Sequence, residues 1–135
     1  MSSLKSRLNI LTGASTRHNK VLREINDWTE AVQNVLTSYD LYGNSGPDTM
    51  LSKSGQAKFD LTSLSYKGRP LIERAGKIKG PEITKLIHDV VDCVESLRRL
   101  MIHPSLQMER VKQGTVNLRS SYEKLHDALT TIEYL

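Results

Sequence analysis

Hydrophobic residues recur between positions 83 and 101 at alternating steps of four and three. The row is Ile83, Ile87, Val90, Val94, Leu97 and Met101. A spacing that averages 3.5 residues puts these side chains on one face of an α-helix, where they can pack against other helices. Pro81 and Glu82 suit the first turn of such a helix, and Pro104 cannot continue it. The pattern predicts a helix over about 81–102.

Two further rows with helical spacing lie towards the two ends of the chain. The first row is Leu4, Leu8, Leu11, Ser15, His18, Leu22, Ile25, Thr29, Val32, Leu36 and Tyr39, and the last row is Met108, Val111, Thr115, Leu118, Tyr122, Leu125, Leu129 and Ile132. They predict long helices over about 16–39 and 105–135, with residues 3–12 either extending the first helix or forming a separate turn. Because the His103-Pro104 connection is short, the last two helices should be antiparallel neighbours. Val21, Trp28 and Val35 widen the first face, which favours a bundle over a two-stranded coiled coil.

The middle of the chain, residues 40–80, breaks these long periods. It contains Gly43, Gly46, Pro47, Gly55, Gly68, Pro70, Gly76 and Gly80. We expect a loop over 44–55, with a turn at Gly46–Asp48, and a short helix near 70–78. The predicted fold is therefore all-α: a single domain over 1–135 that forms an antiparallel three-helix bundle, or a four-helix bundle if the short helix is counted, with a long Gly-rich middle loop.

Composition and charge narrow the class of protein. Hydrophobic residues make up 38% and charged residues 25% of the chain, which is typical of a soluble globular domain. The single cysteine, Cys93, excludes an internal disulfide and favours a reducing compartment. We therefore expect an intracellular, cytoplasmic protein. The first 23 residues contain five basic residues and no acid, which leaves an organelle transit peptide as the alternative.

No motif for catalysis, metal binding or phosphate binding is recognisable. The chain has four histidines and one cysteine, and the i,i+4 pair His88 and Asp92 is more typical of an exposed ion pair than of a zinc site. Cys93 flanks the hydrophobic row and is expected to fill the core rather than act as a nucleophile. The spacing from Gly68 to Lys77 does not match a P-loop. We expect no enzyme activity, cofactor, metal or small-molecule substrate.

Two features point to partner binding. The first is a basic segment, made of Lys67, Arg69, Arg74, Lys77 and Lys79, with Glu73 as its one acid. Such a segment could contact an acidic protein, nucleic acid or anionic lipid, or could simply be solvated. The second is Trp28, which either fills the core or anchors a partner.

The sequence favours a non-enzymatic protein–protein interaction module, an adaptor or a subunit of a larger assembly. It would bind another protein or a second copy of itself through helical grooves and the basic segment. The alternative is a helical protein that associates with nucleic acid or anionic lipid through the basic N-terminal residues and positions 67–79. A net charge of +4 is modest for a nucleic-acid-binding protein, and no helix-turn-helix or RNA-binding motif is present.

Overall fold

The computed structural model describes residues 15–43, 45–78, 81–104 and 107–133. Within these ranges the chain is all-α and forms five helices. They are α1 (Ser15–Ser38), α2 (Gly46–Ser52), α3 (Ser54–Ile78), α4 (Pro81–Leu100) and α5 (Met108–Glu133). No helix in these ranges combines the length and the hydropathy needed to cross a bilayer.

The four long helices form a bundle in which each helix is antiparallel to its two neighbours. Helices α1 and α4 lie at opposite corners, and each packs against both α3 and α5. Along the α1–α3 interface, the Tyr39 hydroxyl donates to Asp60 and the Trp28 indole donates to the Leu64 carbonyl, so earlier residues of α1 contact later residues of α3. The Arg74 side chain meets Glu24 near the start of α1, which fixes the antiparallel direction.

The predicted hydrophobic rows form the core. All six residues of the 83–101 row are buried, as are the members of the last row from Val111 to Leu129. The first row is buried from Leu22 to Tyr39, whereas its members Leu4, Leu8 and Leu11 lie outside the described residues. The helix over 81–102 is confirmed with its end at Leu100, and the last helix begins at Met108 in the described chain. The shared 3.5-residue period explains why these three helices could be predicted.

In the middle segment 40–80, the predicted loop over 44–55 is wrong, and the short helix predicted near 70–78 is only the end of a longer helix, so the three-helix arrangement is replaced. This segment forms the short helix α2 and the 25-residue helix α3, so the bundle has four long helices. Besides Ser65, the buried positions of α3 are Ala57, Leu61, Leu64, Gly68, Leu71 and Ala75. They follow the same alternation of four and three as the row of α4, but three of the six are alanine or glycine. The helical face of α3 was therefore present in the sequence, but large hydrophobic side chains occupy only half of the positions in this row.

Glycine and proline are accommodated in α2 and α3 for local reasons. Gly68 is buried where a Cβ atom would lie 2.6 Å from the indole of Trp28, so only glycine allows the indole to approach α3 this closely. Pro70 lies on the exposed side of α3, and the carbonyl that loses its helical N–H donor belongs to Tyr66, an exposed residue. Pro47 occupies the first turn of α2, a position that proline favours, so the predicted turn at Gly46–Asp48 is instead a helix start.

Candidate functional site

Two aromatic side chains of α3 project into solvent. Phe59 is 73% exposed and Tyr66 is 82% exposed. They are seven positions apart, so they lie about two helical turns apart on one side, opposite the buried row of α3. We call this side the α3 face and define it by Phe59, Tyr66, Pro70 and Lys77, all exposed. Sequence reasoning missed Phe59 because it predicted no long helix over the middle segment 40–80; the i,i+7 spacing of the two aromatic residues was the available signal.

The basic segment lies partly on the α3 face and partly along its two margins. Lys67, Arg69, Arg74 and Lys77 are all exposed on α3, whereas Lys79 lies outside the described residues. Helix α3 carries five basic and two acidic residues, while α1 and α5 carry equal numbers and α4 has an excess of acids. The positive charge of the bundle is therefore concentrated on the helix that also exposes the aromatic pair.

Arg69 is held at one margin of the α3 face by Glu95 of α4. Its Nε and Nη2 atoms lie 2.7 Å and 2.5 Å from Glu95 Oε1, and the Ser65 hydroxyl donates to the same oxygen at 2.8 Å. The hydrogen bonds from Ser65 and Arg69 hold the pKa of the Glu95 carboxyl below its ordinary value. Glu95 thus neutralises part of the charge of Arg69 and ties α3 to α4.

The other cations of the basic segment differ in their partners. Arg74 forms an ion pair with Glu24 of α1 at the opposite margin. Lys77 lies 3.9 Å from Glu73 on the same helix, an exposed contact of little energetic weight. Lys67 makes no ion pair with any residue in the described ranges. Lys67 and Lys77 are therefore the cations of the basic segment most available to an external acid, and Lys58, earlier in α3, is exposed as well.

Trp28 lies in the core rather than on a surface. The side chain is 4% exposed, and its Nε1–H donates to the Leu64 carbonyl at 2.9 Å. A buried indole that packs against Gly68 and satisfies its one donor stabilises the α1–α3 interface. In this fold Trp28 is not accessible to a partner, so the interpretation of Trp28 as a partner anchor is replaced by the core alternative.

The residues considered for chemistry are engaged in ordinary structural contacts. His88 and Asp92 form an exposed i,i+4 ion pair at 3.1 Å. Cys93 is half-buried beside the core, with its Sγ atom 3.5 Å from Ser121 Oγ. Within the described ranges, no three His, Cys, Asp or Glu side chains are grouped so that they could hold a metal ion.

An open groove of about 440 Å³ lies between α1 and α5, and amide and hydroxyl side chains make up much of its lining. Its Thr29 and Thr130 hydroxyls donate to the carbonyls four residues earlier in their own helices, at 2.7 Å and 2.9 Å. The His126 ring packs beside Tyr122, with ring centroids 5.7 Å apart. A hydroxyl held by its own helix is not activated by a base, so this arrangement does not resemble a nucleophile–base pair.

Comparison of the chain with protein-family models, with curated proteins and with solved structures found no significant match. The functional assignment therefore depends on the surface of the bundle. Its most distinctive feature in the described ranges is the combination of exposed aromatic residues and basic charge on α3. Such a combination is typical of surfaces that bind a partner.

Proposed function

We propose that this chain is a non-enzymatic protein–protein interaction module, an adaptor or a subunit of a larger assembly, that binds its partner through the α3 face. The observation that carries the proposal is the exposure of both Phe59 and Tyr66 on one side of a single helix. Full burial of a side chain of this size contributes about 1.5–3 kcal/mol. Two such anchors could supply much of the affinity of a specific complex, because a few aromatic residues dominate most interfaces.

The charge of α3 indicates the kind of protein that would fit. Lys67 and Lys77 are available on and beside the α3 face, and Arg69 and Arg74 remain more than half exposed although each has an intramolecular partner. We therefore propose a partner helix with an apolar stripe for the aromatic pair and acidic residues along its edges. The acids would raise the association rate and set the orientation, while the aromatic contacts would hold the complex.

Site-specific photo-crosslinking in cells that express the protein tests this proposal. A photoreactive phenylalanine analogue at position 66 or 59 should cross-link one defined protein, identified by mass spectrometry. The matched control is position 116 in α5, where Val116 is also exposed at 45%. The same product from position 116, or no product from positions 59 and 66, would contradict the assignment of the α3 face.

Binding of the identified partner to purified variants separates the two contributions. Phe59→Ala with Tyr66→Ala should weaken the complex at least tenfold at every salt concentration, because apolar burial is not screened. Lys67→Glu with Lys77→Glu should slow association mainly at low salt. The charge-matched control is Lys20→Glu with Lys124→Glu, two exposed lysines on α1 and α5. An equal loss in that control would indicate a general charge effect rather than a docking face.

The alternative function is association with nucleic acid or anionic lipid through the N-terminal basic residues and the segment 67–79. The observation in its favour is the same excess of basic residues on α3, together with two exposed rings that could stack on bases, Phe59 and Tyr66. Nucleic-acid affinity would fall steeply with salt because counterions are released, whereas a complex held by Phe59 and Tyr66 would tolerate salt. Self-association through the α3 face is the third outcome, which light scattering would detect as a dimer that Tyr66→Ala dissociates.

A further inference from the structure

The end of α4 and the start of α5 lie together at one end of the bundle, distinct from the α3 face. We define the α4–α5 tip by Arg98, Arg99, Ile102, Met108 and Arg110. Its two hydrophobic side chains are unusually accessible: Ile102 is 55% exposed and Met108 is 39% exposed. Exposed apolar side chains beside clustered cations are a feature of surfaces that contact a partner or a membrane.

The charge at the α4–α5 tip is strongly positive. Positions 98–112 contain four basic residues and one acid, Glu109, which lies 3.6 Å from Lys112. Arg98, Arg99 and Arg110 form no ion pair with the described residues. Arg99 acts on Glu95 only through longer-range attraction, because the hydrogen bonds of Glu95 come from Ser65 and Arg69. Three guanidinium groups are thus left without a carboxylate partner.

Helix electrostatics accounts for two of these arginines but not for the third. Arg98 and Arg99 lie in the last turn of α4, where the partial negative charge of the helix end favours cations. Arg110 lies in the first turn of α5, where the partial positive charge favours acids such as Glu109. Arg110 is therefore exposed and unpaired within the described ranges, at a helix end that favours an anion, so it is available to bind an external anion.

A groove of about 510 Å³ lies between Arg99 of α4 and Arg110 of α5. Leu100 and Gly114 form part of its lining, and the amide side chains of the lining are Gln107, Gln113 and Asn117. Guanidinium and amide groups donate hydrogen bonds to phosphate oxygens, and the apolar lining can contact the carbon atoms of a headgroup. The groove has the donor chemistry of a phosphate-binding site and contains no acidic side chain.

We propose that the α4–α5 tip docks on an anionic membrane surface. Arg99 and Arg110 bind lipid phosphates at the groove, and Arg98 adds electrostatic attraction to the anionic surface. Ile102 and Met108 enter the boundary between headgroups and acyl chains. The combination of exposed apolar residues and unpaired arginines is what selects a membrane over a soluble phosphate compound. This inference does not depend on the proposed protein partner, because the tip and the α3 face share no residue.

Vesicle co-sedimentation with the purified chain tests the proposal. The wild-type protein should bind phosphatidylcholine vesicles that contain about 30 mol% phosphatidylserine, and not vesicles of phosphatidylcholine alone, since each basic residue at an anionic surface contributes about fivefold in affinity. Arg99→Gln with Arg110→Gln should therefore lower the affinity roughly thirtyfold. Ile102→Ser with Met108→Ser should also weaken binding. The binding that is left would be mainly electrostatic and should therefore be more sensitive to salt.

Two charge-matched controls keep the test specific. Lys20→Gln with Lys124→Gln, and Lys67→Gln with Lys77→Gln, remove the same charge from exposed positions elsewhere and should reduce affinity far less. All substituted side chains are exposed, and circular dichroism checks that every variant is folded. The proposal is overturned if wild-type protein ignores the anionic vesicles, or if both controls lose as much affinity as the tip variants. It is also overturned if inorganic phosphate perturbs the NMR signals of Arg99 and Arg110 while vesicles do not bind.

Discussion

Replacing Gly68 by alanine should destabilise the bundle, although the same change is favourable at most helical positions. Alanine exceeds glycine in helix propensity by about 1 kcal/mol. At position 68, however, the added Cβ would lie 2.6 Å from Trp28 Cζ2 and 2.9 Å from Val91 Cγ2. The indole cannot easily retreat, because it is buried and its Nε1–H is bonded to the Leu64 carbonyl.

The magnitude follows from two opposing contributions. Overpacking of a well-filled core costs about 1–3 kcal/mol, and a contact with a rigid ring places this case in the upper part of that range. After the gain in helix propensity of about 1 kcal/mol, we expect a net loss of about 1–2 kcal/mol. Gly76 provides the matched control in the same helix, since its new Cβ would meet only Thr84 Oγ1 at 3.4 Å. Gly76→Ala should therefore stabilise the protein by about 0.5–1 kcal/mol.

Urea unfolding followed by circular dichroism measures both changes, with the midpoint compared at unchanged slope. The two variants should move the midpoint in opposite directions, and in a Trp28→Phe background the penalty of Gly68→Ala should shrink because the ring is smaller. A Gly68→Ala protein that is as stable as the wild type would refute the close approach of the indole to α3. Equal losses at Gly68 and Gly76 would show that glycine is needed for backbone reasons and not for space.

Three further predictions concern the core and the α3–α4 contact. Trp28→Phe removes the hydrogen bond to the Leu64 carbonyl and should lower the free energy of unfolding by about 1–2 kcal/mol, measured by urea unfolding. Val94→Asp places an unpaired carboxylate in the core and should cost about 3–5 kcal/mol, so loss of cooperative thermal unfolding is expected and a native-like transition would contradict the burial of this position. The lowered pKa of Glu95 means that its charged form is favoured by folding; this stability is present above the carboxyl's unfolded pKa and is lost as the pH falls through the folded value. Glu95→Gln should therefore flatten the acid side of the stability–pH profile, and an unchanged profile would show that the contacts with Ser65 contribute little.

The parts of the fold that could be predicted from the sequence are those in which large apolar residues mark the helical period. The row from Ile83 to Met101 is an example, because every member is large and every member is buried. Helix α3 has the same period but uses Ala57, Gly68 and Ala75 at three of its buried positions. Small residues carry little hydrophobic signal, and glycine is read locally as a helix breaker. Only the position of Trp28, forty residues earlier in the chain, explains why glycine is required at 68.

The candidate site was predicted less completely than the fold. The cations of the basic segment could be identified from composition alone, but the ion-pair partners of Arg69 and Arg74 belong to distant parts of the chain. The placement of Trp28 could not be decided, because the acceptor of its indole N–H is a backbone carbonyl 36 residues away. Phe59 became visible as a surface residue only once α3 was seen to be one continuous helix.

The antiparallel order of the helices has a practical consequence for handling the protein. Four helices that alternate in direction bring the start of α1 and the end of α5 to the same end of the bundle, while the α4–α5 connection lies at the other end. Helix α5 alone spans 26 residues, or about 39 Å at 1.5 Å per residue. A fluorophore, an affinity tag or a sensor surface attached beside Ser15 or Glu133 would therefore stand well away from Arg110. Attachment at Ser15 or Glu133 would leave the α4–α5 tip free to contact a bilayer.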